Sequence, residues 1–292
     1  MSIPIGGWLV SKKLQYAEEA SFGVPAASPS YSQIGYDAPV YIDAPTGLTA
    51  LPTPGSEDPL VLAERTIDLY NLTVNYRPFD TVFAKYGVNA QGGGSGSIDK
   101  SFNMLLSVAL GGSGETFILP VGCRIDNFRM GGRAGGPVQF RAKIASQLVP
   151  IPSTTVPSGT FPANPSTVPF LFSQGGPQPI SIGGTPYNVN RIEVNVERNI
   201  DRIPSPGSQI AQDLKPTART ITGTVGIVWK DTSNYTRLAN DQSFTLAWTF
   251  KTGGSTLTLS GCRFRALETL NLEPDRTVYE TYSLEALSGT LT

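Results

Sequence analysis

The stretch SFTLAWTFKTGGSTLTLSGCRF, Ser243–Phe264, decides the fold because it recurs earlier in the chain as SFNMLLSVALGGSGETFILPVGCRI, Ser101–Ile125. Ser-Phe, Gly-Gly-Ser and Gly-Cys-Arg come in the same order in both. The copies differ by three residues in the turn after the paired glycines, where deletions are tolerated. The last landmark is Gly122, Cys123 and Arg124 in one copy and Gly261, Cys262 and Arg263 in the other. This recurrence predicts one structural unit that is built twice.

The side-chain pattern agrees with the repeat. Apolar residues alternate with polar ones after each Ser-Phe landmark: Phe102, Met104 and Leu106 in the first copy, and Phe244, Leu246 and Trp248 in the second. A period of two predicts strands with one buried face. Each copy also contains a short segment compatible with a helix, Phe79–Tyr86 and Ser233–Ala239.

Composition points to the same class. The 292 residues include 31 glycines and 24 prolines, which is typical of short strands joined by turns. Only 15% of residues are charged and the net charge is -1, so a tight electrostatic grip on nucleic acid is not expected. There is neither an apolar run of membrane-spanning length nor a secretory pattern at the start, so we expect a protein made and assembled in a cytoplasm. A mainly β protein of two domains is predicted.

The domain organisation follows from the two copies. Residues 1–60 are predicted to form an N-terminal arm and the first strand of domain 1, and residues 61–149 its core. A Pro/Ser-rich linker, 150–169, leads to domain 2, 170–292. Two long loops are expected, Asn89–Ser97 and Arg198–Pro216.

Catalytic chemistry has little support in the sequence. The chain contains no histidine, which excludes imidazole-dependent hydrolases and most zinc sites. The two cysteines are expected in different domain cores, as small buried residues and not as a disulfide or metal site. In GGGSGSIDKS, Asp99 stands where a phosphate loop needs glycine. Carboxylates that could serve a glycan hydrolase by type alone are Asp126, Glu268, Glu280 and Glu285. We expect no enzyme, no cofactor and no metal.

A family resemblance enters with the opening LQYAEEASFGVPA, Leu14–Ala26. It resembles the start of tail tube proteins of long-tailed, siphovirus-type phages or archaeal viruses. The second copy is similar to the same family over most of its length. The features that carry this likeness are Arg198-Asn199, Gly207-Ser208, Asp213–Pro216, the strand TITGTVGIVWKD and the short helix around Tyr235.

The resemblance implies two tandem tube domains, each a β-sandwich or rolled sheet with one helix. A duplicated subunit of this family forms trimeric rings that mimic sixfold symmetry and stack into a hollow, non-contractile tail tube for DNA delivery. A lumen free of basic residues would let the DNA pass unbound. The loops that would contact neighbouring subunits contain Asn89, Gly93, Ser97, Arg198, Pro204, Gly207, Ser208, Asp213 and Lys215.

The same resemblance implies the partners and the location. The partners are further copies of the chain, the tape measure, tail terminator and distal tail proteins, and double-stranded DNA in transit, with no membrane and no cofactor. The location is the virion tail, assembled in the host cytoplasm. The alternatives left open are another tail-tip, fibre or surface adhesion β-protein and, with less support, a carboxylate-based glycan hydrolase.

Overall fold

The computed structural model describes residues 13–36, 39–43, 48–51, 61–64, 70–90, 99–109, 115–150, 152–163, 167–176, 178–206, 208–271 and 277–292. Within these ranges the chain forms twenty β-strands, two α-helices and one 3-10 turn, Phe172–Gly175. The predicted mainly β class, with large antiparallel sheets and two short helices, is confirmed.

The first half of the chain, residues 13–150, contains ten strands and one helix. They are β1 Lys13–Glu18, β2 Ser32–Gln33, β3 Val40–Asp43, β4 Leu48–Leu51, β5 Val61–Glu64, β6 Tyr70–Tyr76, α1 Val82–Val88, β7 Phe102–Ala109, β8 Glu115–Ile118, β9 Arg124–Arg133 and β10 Gln139–Ser146.

The second half, residues 178–292, contains the others. They are β11 Ile180–Ile182, β12 Thr185–Tyr187, β13 Val189–Glu197, β14 Ile200–Ser205, β15 Ser208–Pro216, β16 Thr220–Val228, α2 Ser233–Ala239, β17 Phe244–Thr249, β18 Thr256–Asn271, β19 Tyr279–Ala286 and β20 Ser288–Leu291.

Eight antiparallel strands form the main sheet, in the order β18-β19-β16-β13-β9-β10-β6-β3. The long strand β18 belongs to two groups of strands. Its residues 256–262 pair with β17, which continues to β11 and β12, and its residues 263–271 pair with β19. In the first half, β1, β7 and β8 form a separate sheet with β2.

The two halves have corresponding elements. The order β9-β10-β6-β3 matches β18-β19-β16-β13, and β1-β7-β8 matches β11-β17 with the start of β18. Each helix begins after an aspartate whose carboxylate accepts a hydrogen bond from a main-chain N–H two residues later, Asp80 from Val82 at 3.0 Å and Asp231 from Ser233 at 2.8 Å. These equivalent turns align the halves independently of the landmarks.

The helix predictions are close. Helix α2 has the predicted bounds, whereas α1 begins at Val82 and not at Phe79, because Asp80 forms the turn that precedes it.

The N-terminal segment is more regular than expected. In place of an arm with one strand, residues 13–51 contain four strands, β1–β4. Strand β1 runs antiparallel to β7 and buries Leu14 and Tyr16. Strands β1–β4 are short, and the segments between them contain proline and glycine. Their local sequence patterns are therefore too weak to predict all four strands. The division of the chain into domains stays a prediction.

The two halves share one hydrophobic core. A continuous cluster of buried side chains contains residues of both, and the rings of Phe140 and Phe250 meet across it at 5.6 Å. Cys123 and Cys262 both belong to this cluster, so the expectation that they lie in different cores is wrong. The reason is that β13 of the second half pairs with β9 of the first, which brings the two packed faces together.

Candidate assembly surfaces

One face of the main sheet packs on the core and the other is open. Alternation along each strand places Val194, Val196 and Phe128 on the core side and polar neighbours on the open side. The charged residues on this open face are Arg129, Arg133, Arg141, Lys143, Arg191, Glu193, Glu197, Arg265 and Glu285. The open face is therefore a broad polar surface and not an apolar pocket.

Ion pairs balance part of the charge on the open face. Arg129 pairs with Glu193, and Arg265 with Glu285 at 2.5 Å. Exposed Arg141 and Lys143 on β10 add positive charge. Because these pairs are exposed, they contribute little to stability. The nine charged residues named on the open face are six basic and three acidic, so this face stays net positive after the two ion pairs are formed.

Four arginines lie close together in the sequence, Arg124, Arg129, Arg133 and Arg141. The structure separates them. Three are exposed on the open face, whereas Arg124 is buried at the start of β9.

A seam between β9 and β13 joins the two halves. Its register runs from Arg191 opposite Arg133 to Glu197 opposite Asn127. On the open face the Asn127 amide donates to Asn195 Oδ1 at 2.9 Å. The seam thus combines main-chain pairing with side-chain contacts on both faces, as cross-strand pairs do elsewhere in sheets.

The main sheet ends in two edges. Among the described strands, β3 pairs only with β6, and residues 263–271 of β18 pair only with β19. By the correspondence of the halves, β3 is the counterpart of β13 and the end of β18 is the counterpart of β9. The two edges are therefore the counterparts of the two strands that already form the seam.

Arg198 connects the halves at the end of helix α1. The side chain is only 2% exposed, and its guanidinium donates hydrogen bonds to the carbonyls of Gly87, at 2.9 and 2.8 Å, and Asn89, at 2.8 Å. Arg219 donates to Val88 O at 2.9 Å. These carbonyls are the ones that a helix leaves unpaired at its C-terminus, and positive charge is favourable there.

Asn89 ties the same helix end to the C-terminal strand. Its side chain accepts a hydrogen bond from Leu291 N at 2.7 Å and donates to Leu291 O at 3.3 Å. Asn89 and Arg198 were predicted as assembly residues. In the structure both side chains form hydrogen bonds within the chain. No local sequence pattern could have predicted these contacts, because their partners lie far away in the sequence.

The segment Arg198–Pro216, predicted as a long loop, forms mostly a β-hairpin of β14 and β15. Its proline and glycine content suggested a loop, but Pro206 lies at the turn and Pro204 in the strand that leads into it. Lys215 is exposed and paired in register with Asp201. Ser208 begins β15 opposite Ser205. Gly93, Ser97 and Gly207 lie outside the described residues.

The hairpin docks on the first landmark. Arg124 donates to the carbonyl of Leu214, and its guanidinium lies 3.3 Å from the carboxylate of Asp213. Burial lowers the pKa of Arg124, and the nearby Asp213 opposes that effect. Leu214 is completely buried against Ala145 of β10. Asp213, a predicted assembly residue, therefore also contacts the other half of the chain.

The acidic pair of the opening motif has structural partners. Glu19 is buried, and its carboxylate accepts hydrogen bonds from Gly23 N at 2.9 Å and Gly122 N at 2.8 Å. Glu18 accepts a hydrogen bond from Tyr86 OH at 2.8 Å. The motif thus connects the N-terminal turn to the first Gly-Cys-Arg landmark and to helix α1.

The candidate carboxylates also have individual roles in the fold. Asp126 accepts a hydrogen bond from Ile200 N at 3.0 Å, and buried Glu280 accepts one from Tyr282 OH at 2.8 Å. Glu285 pairs with Arg265, and Glu268 is exposed on β18. The contacts of the first three are those of structural side chains.

The two cysteines are free and completely buried. Burial raises the pKa of the Cys123 thiol well above its ordinary value and that of Cys262 to about 11. Cys262 Sγ donates to the carbonyl of Leu259 at 3.4 Å. Both landmarks therefore position small packed side chains: Cys123 comes directly before β9, and Cys262 lies within β18, where the strand changes its partner from β17 to β19.

We expect neither thiol of the native protein to react with an aromatic disulfide reagent at pH 8, and both to react in denaturant, because only a thiolate attacks the reagent.

A serine at 262 should leave the fold and assembly nearly intact. Since the folded pKa values exceed the unfolded ones, stability should fall as the pH rises above about 9. Rapid reaction of a native thiol, followed by absorbance, would contradict this placement.

Among the described residues no group of histidine, cysteine and acidic side chains is arranged to hold a metal ion. None of the described helices has the length and apolarity that crossing a membrane requires.

No curated protein matches the chain. A family model described as "Phage tail tube protein" matches residues 11–286, which is nearly the whole chain and includes both halves. The match agrees with the resemblance of the opening motif and with the β-rich fold, and it implies a component of the virion tail. The chain belongs to the phage tail tube protein family.

Proposed function

We propose that this protein is a major tail tube subunit, that three copies close into a ring, and that stacked rings form the conduit for viral DNA. The observation that carries the proposal is the seam between β9 and β13. The two strands left at the edges, β3 and the end of β18, are the counterparts of that pair. Pairing β3 of one chain with β18 of the next would repeat the seam between chains.

Physical chemistry favours this closure. Unpaired strand edges are templates for pairing with another chain, and a closed ring removes them. Each chain contributes two corresponding halves, so three chains would present six similar units. In this arrangement the halves are a duplicated tube domain, and the ring is pseudo-sixfold.

We further propose that the open face of the main sheet lines the conduit. The expectation of a lumen free of basic residues then needs revision, because six basic residues would lie there: Arg129, Arg133, Arg141, Lys143, Arg191 and Arg265. Ion pairs with Glu193 and Glu285 oppose DNA binding, since an arginine engaged by a carboxylate must break that contact to bind a phosphate.

By family resemblance alone, we also propose a tape measure protein within the tube, and terminator and distal tail proteins at its ends. Assembly in the host cytoplasm and a non-contractile tail belong to the same proposal.

Sedimentation and electron microscopy of the concentrated protein test the function. We expect a species with the mass of three 31.1 kDa chains and hollow tubes of uniformly stacked rings. A sample that stays monomeric over a wide range of concentration and salt would overturn the proposal. Solid fibres without a lumen would favour a fibre or tail-tip role.

A further inference from the structure

A hairpin covers one corner of the first half. The first corner consists of Gly122, Cys123, Arg124 and Gln147, and the hairpin β14–β15 lies on it. Besides the contacts of Arg124, the Gln147 side-chain amide donates to Ala211 O of β15 at 2.8 Å. Ala211 is 1% exposed. The hairpin reaches this corner because it follows β13, whose end pairs beside the start of β9.

The second half has the same corner. The second corner consists of Gly261, Cys262, Arg263 and Leu287. Gly122 and Gly261 both have a φ of +63°, which favours glycine. In each corner the glycine lies against the side chain of the residue that follows a strand of the main sheet. Gln147, which follows β10, lies against Gly122, and Leu287, which follows β19, lies against Gly261. The main-chain N–H of each donates to the residue just before the glycine, Val121 O or Ser260 O, at 3.1 Å.

The second corner is open in the single chain. Leu287 is 84% exposed, the most exposed of the large apolar side chains in the described part of the protein. Arg263 is exposed and pairs with Asp241 on the surface. Its counterpart Arg124, by contrast, is buried under the hairpin. Among the described residues, no hairpin covers the second corner as β14–β15 covers the first.

The chain contains a second hairpin at the corresponding place in the first half. Strands β4 and β5 follow β3 as β14 and β15 follow β13. Among the described strands they pair only with each other. If β3 joins the end of β18 in a neighbouring chain, antiparallel pairing brings the end of β3 beside Arg263, and the hairpin that follows arrives at that chain's second corner.

We propose that the second corner is the docking surface for the β4–β5 hairpin of a second copy of this chain. The inference rests on the proposed ring. Leu287 is the apolar anchor. Its burial stabilises the docked hairpin, in the place where the first corner has the hydrogen bond from the Gln147 side-chain amide to the hairpin. Arg263 leaves Asp241 and donates to a main-chain carbonyl of the incoming hairpin, as Arg124 does to Leu214.

Engineered cysteines test the placement directly. Leu287→Cys is combined with one cysteine in β5, at Val61, Leu62 or Ala63, while the buried native thiols are kept. After mild oxidation of assembled protein, at least one pair should give covalent dimers and trimers on a denaturing gel, with nothing larger than the closed trimer. Leu287→Cys alone is the control and should give no trimer.

The outcomes separate this inference from the function. If the unmodified protein forms rings but no β5 position cross-links between chains, or the link forms within one chain, the hairpin does not dock at the second corner and the tube function stands. If the unmodified protein forms no rings at all, both proposals fail.

A charge at the anchor gives a second measurement. Leu287→Asp should weaken ring association about tenfold or more, since burying a leucine is lost and a carboxylate would be desolvated. Leu287→Gln, which copies the first corner, should associate more strongly than the aspartate variant. Val156→Asp is the matched control, because Val156 is also exposed, at 61%, and lies outside the corner. Equal ring mass for all three variants in sedimentation would overturn the anchor.

Discussion

Replacing Trp248 with alanine should lower the free energy of unfolding by about 3–5 kcal/mol, the largest effect that we expect from a single substitution. The side chain is completely buried where the halves meet, 4.6 Å from the Phe250 ring and 6.1 Å from the Phe172 ring. Its removal leaves a cavity that the surrounding strands cannot close. A urea titration followed by circular dichroism would measure the loss.

A phenylalanine at the same position should cost much less. The indole Nε1 of Trp248 is buried without a hydrogen-bond partner in the described structure. Phenylalanine removes this unsatisfied donor, which is favourable, and the gain partly offsets the packing that is lost with the larger ring. We expect a change within about 1.5 kcal/mol. Trp229→Ala is the control, because that side chain is 48% exposed and should hardly affect the folding of the single chain. Equal losses at both tryptophans would contradict the burial of Trp248.

Replacing Arg198 with leucine should destabilise the chain by about 2–4 kcal/mol, because the buried carbonyl of Gly87 and the partly buried carbonyl of Asn89 lose their donor. The loss is partly offset, since the guanidinium is desolvated without a carboxylate partner. Burial, with Arg219 adding to it, lowers the pKa of Arg198 to about 9, so the group remains charged at neutral pH. The midpoint of urea unfolding measures the result.

Conservative replacement tests the geometry. Arg198→Lys keeps the charge but cannot direct two nitrogens at Gly87 O and one at Asn89 O, so it should recover less than half of the loss. Arg219→Leu is the comparison, since Arg219 is less buried and should cost less, about 1 kcal/mol. If Arg198→Leu unfolds at the same urea concentration as the parent, the contact between the halves is not a source of stability.

The sequence predicted the elements whose signal is local. Period-two alternation after each Ser-Phe landmark located β7 and β17, and the bounds of α2 were right. The absence of histidine excluded whole classes of chemistry. The opening motif and the order of features in the second copy predicted the family, which the match over residues 11–286 confirmed.

Only the tertiary structure decided how the two halves meet. The seam of β13 with β9, the docking of β14–β15 on Arg124 and the capping of α1 by Arg198 join residues far apart in the chain. Such contacts depend on which strand edges and carbonyls the fold leaves unpaired, and a strand's sequence reports its buried face but not its neighbour. The repeated Gly-Cys-Arg landmark predicted one structural unit that is built twice, whereas burial alone distinguished the covered corner from the open one.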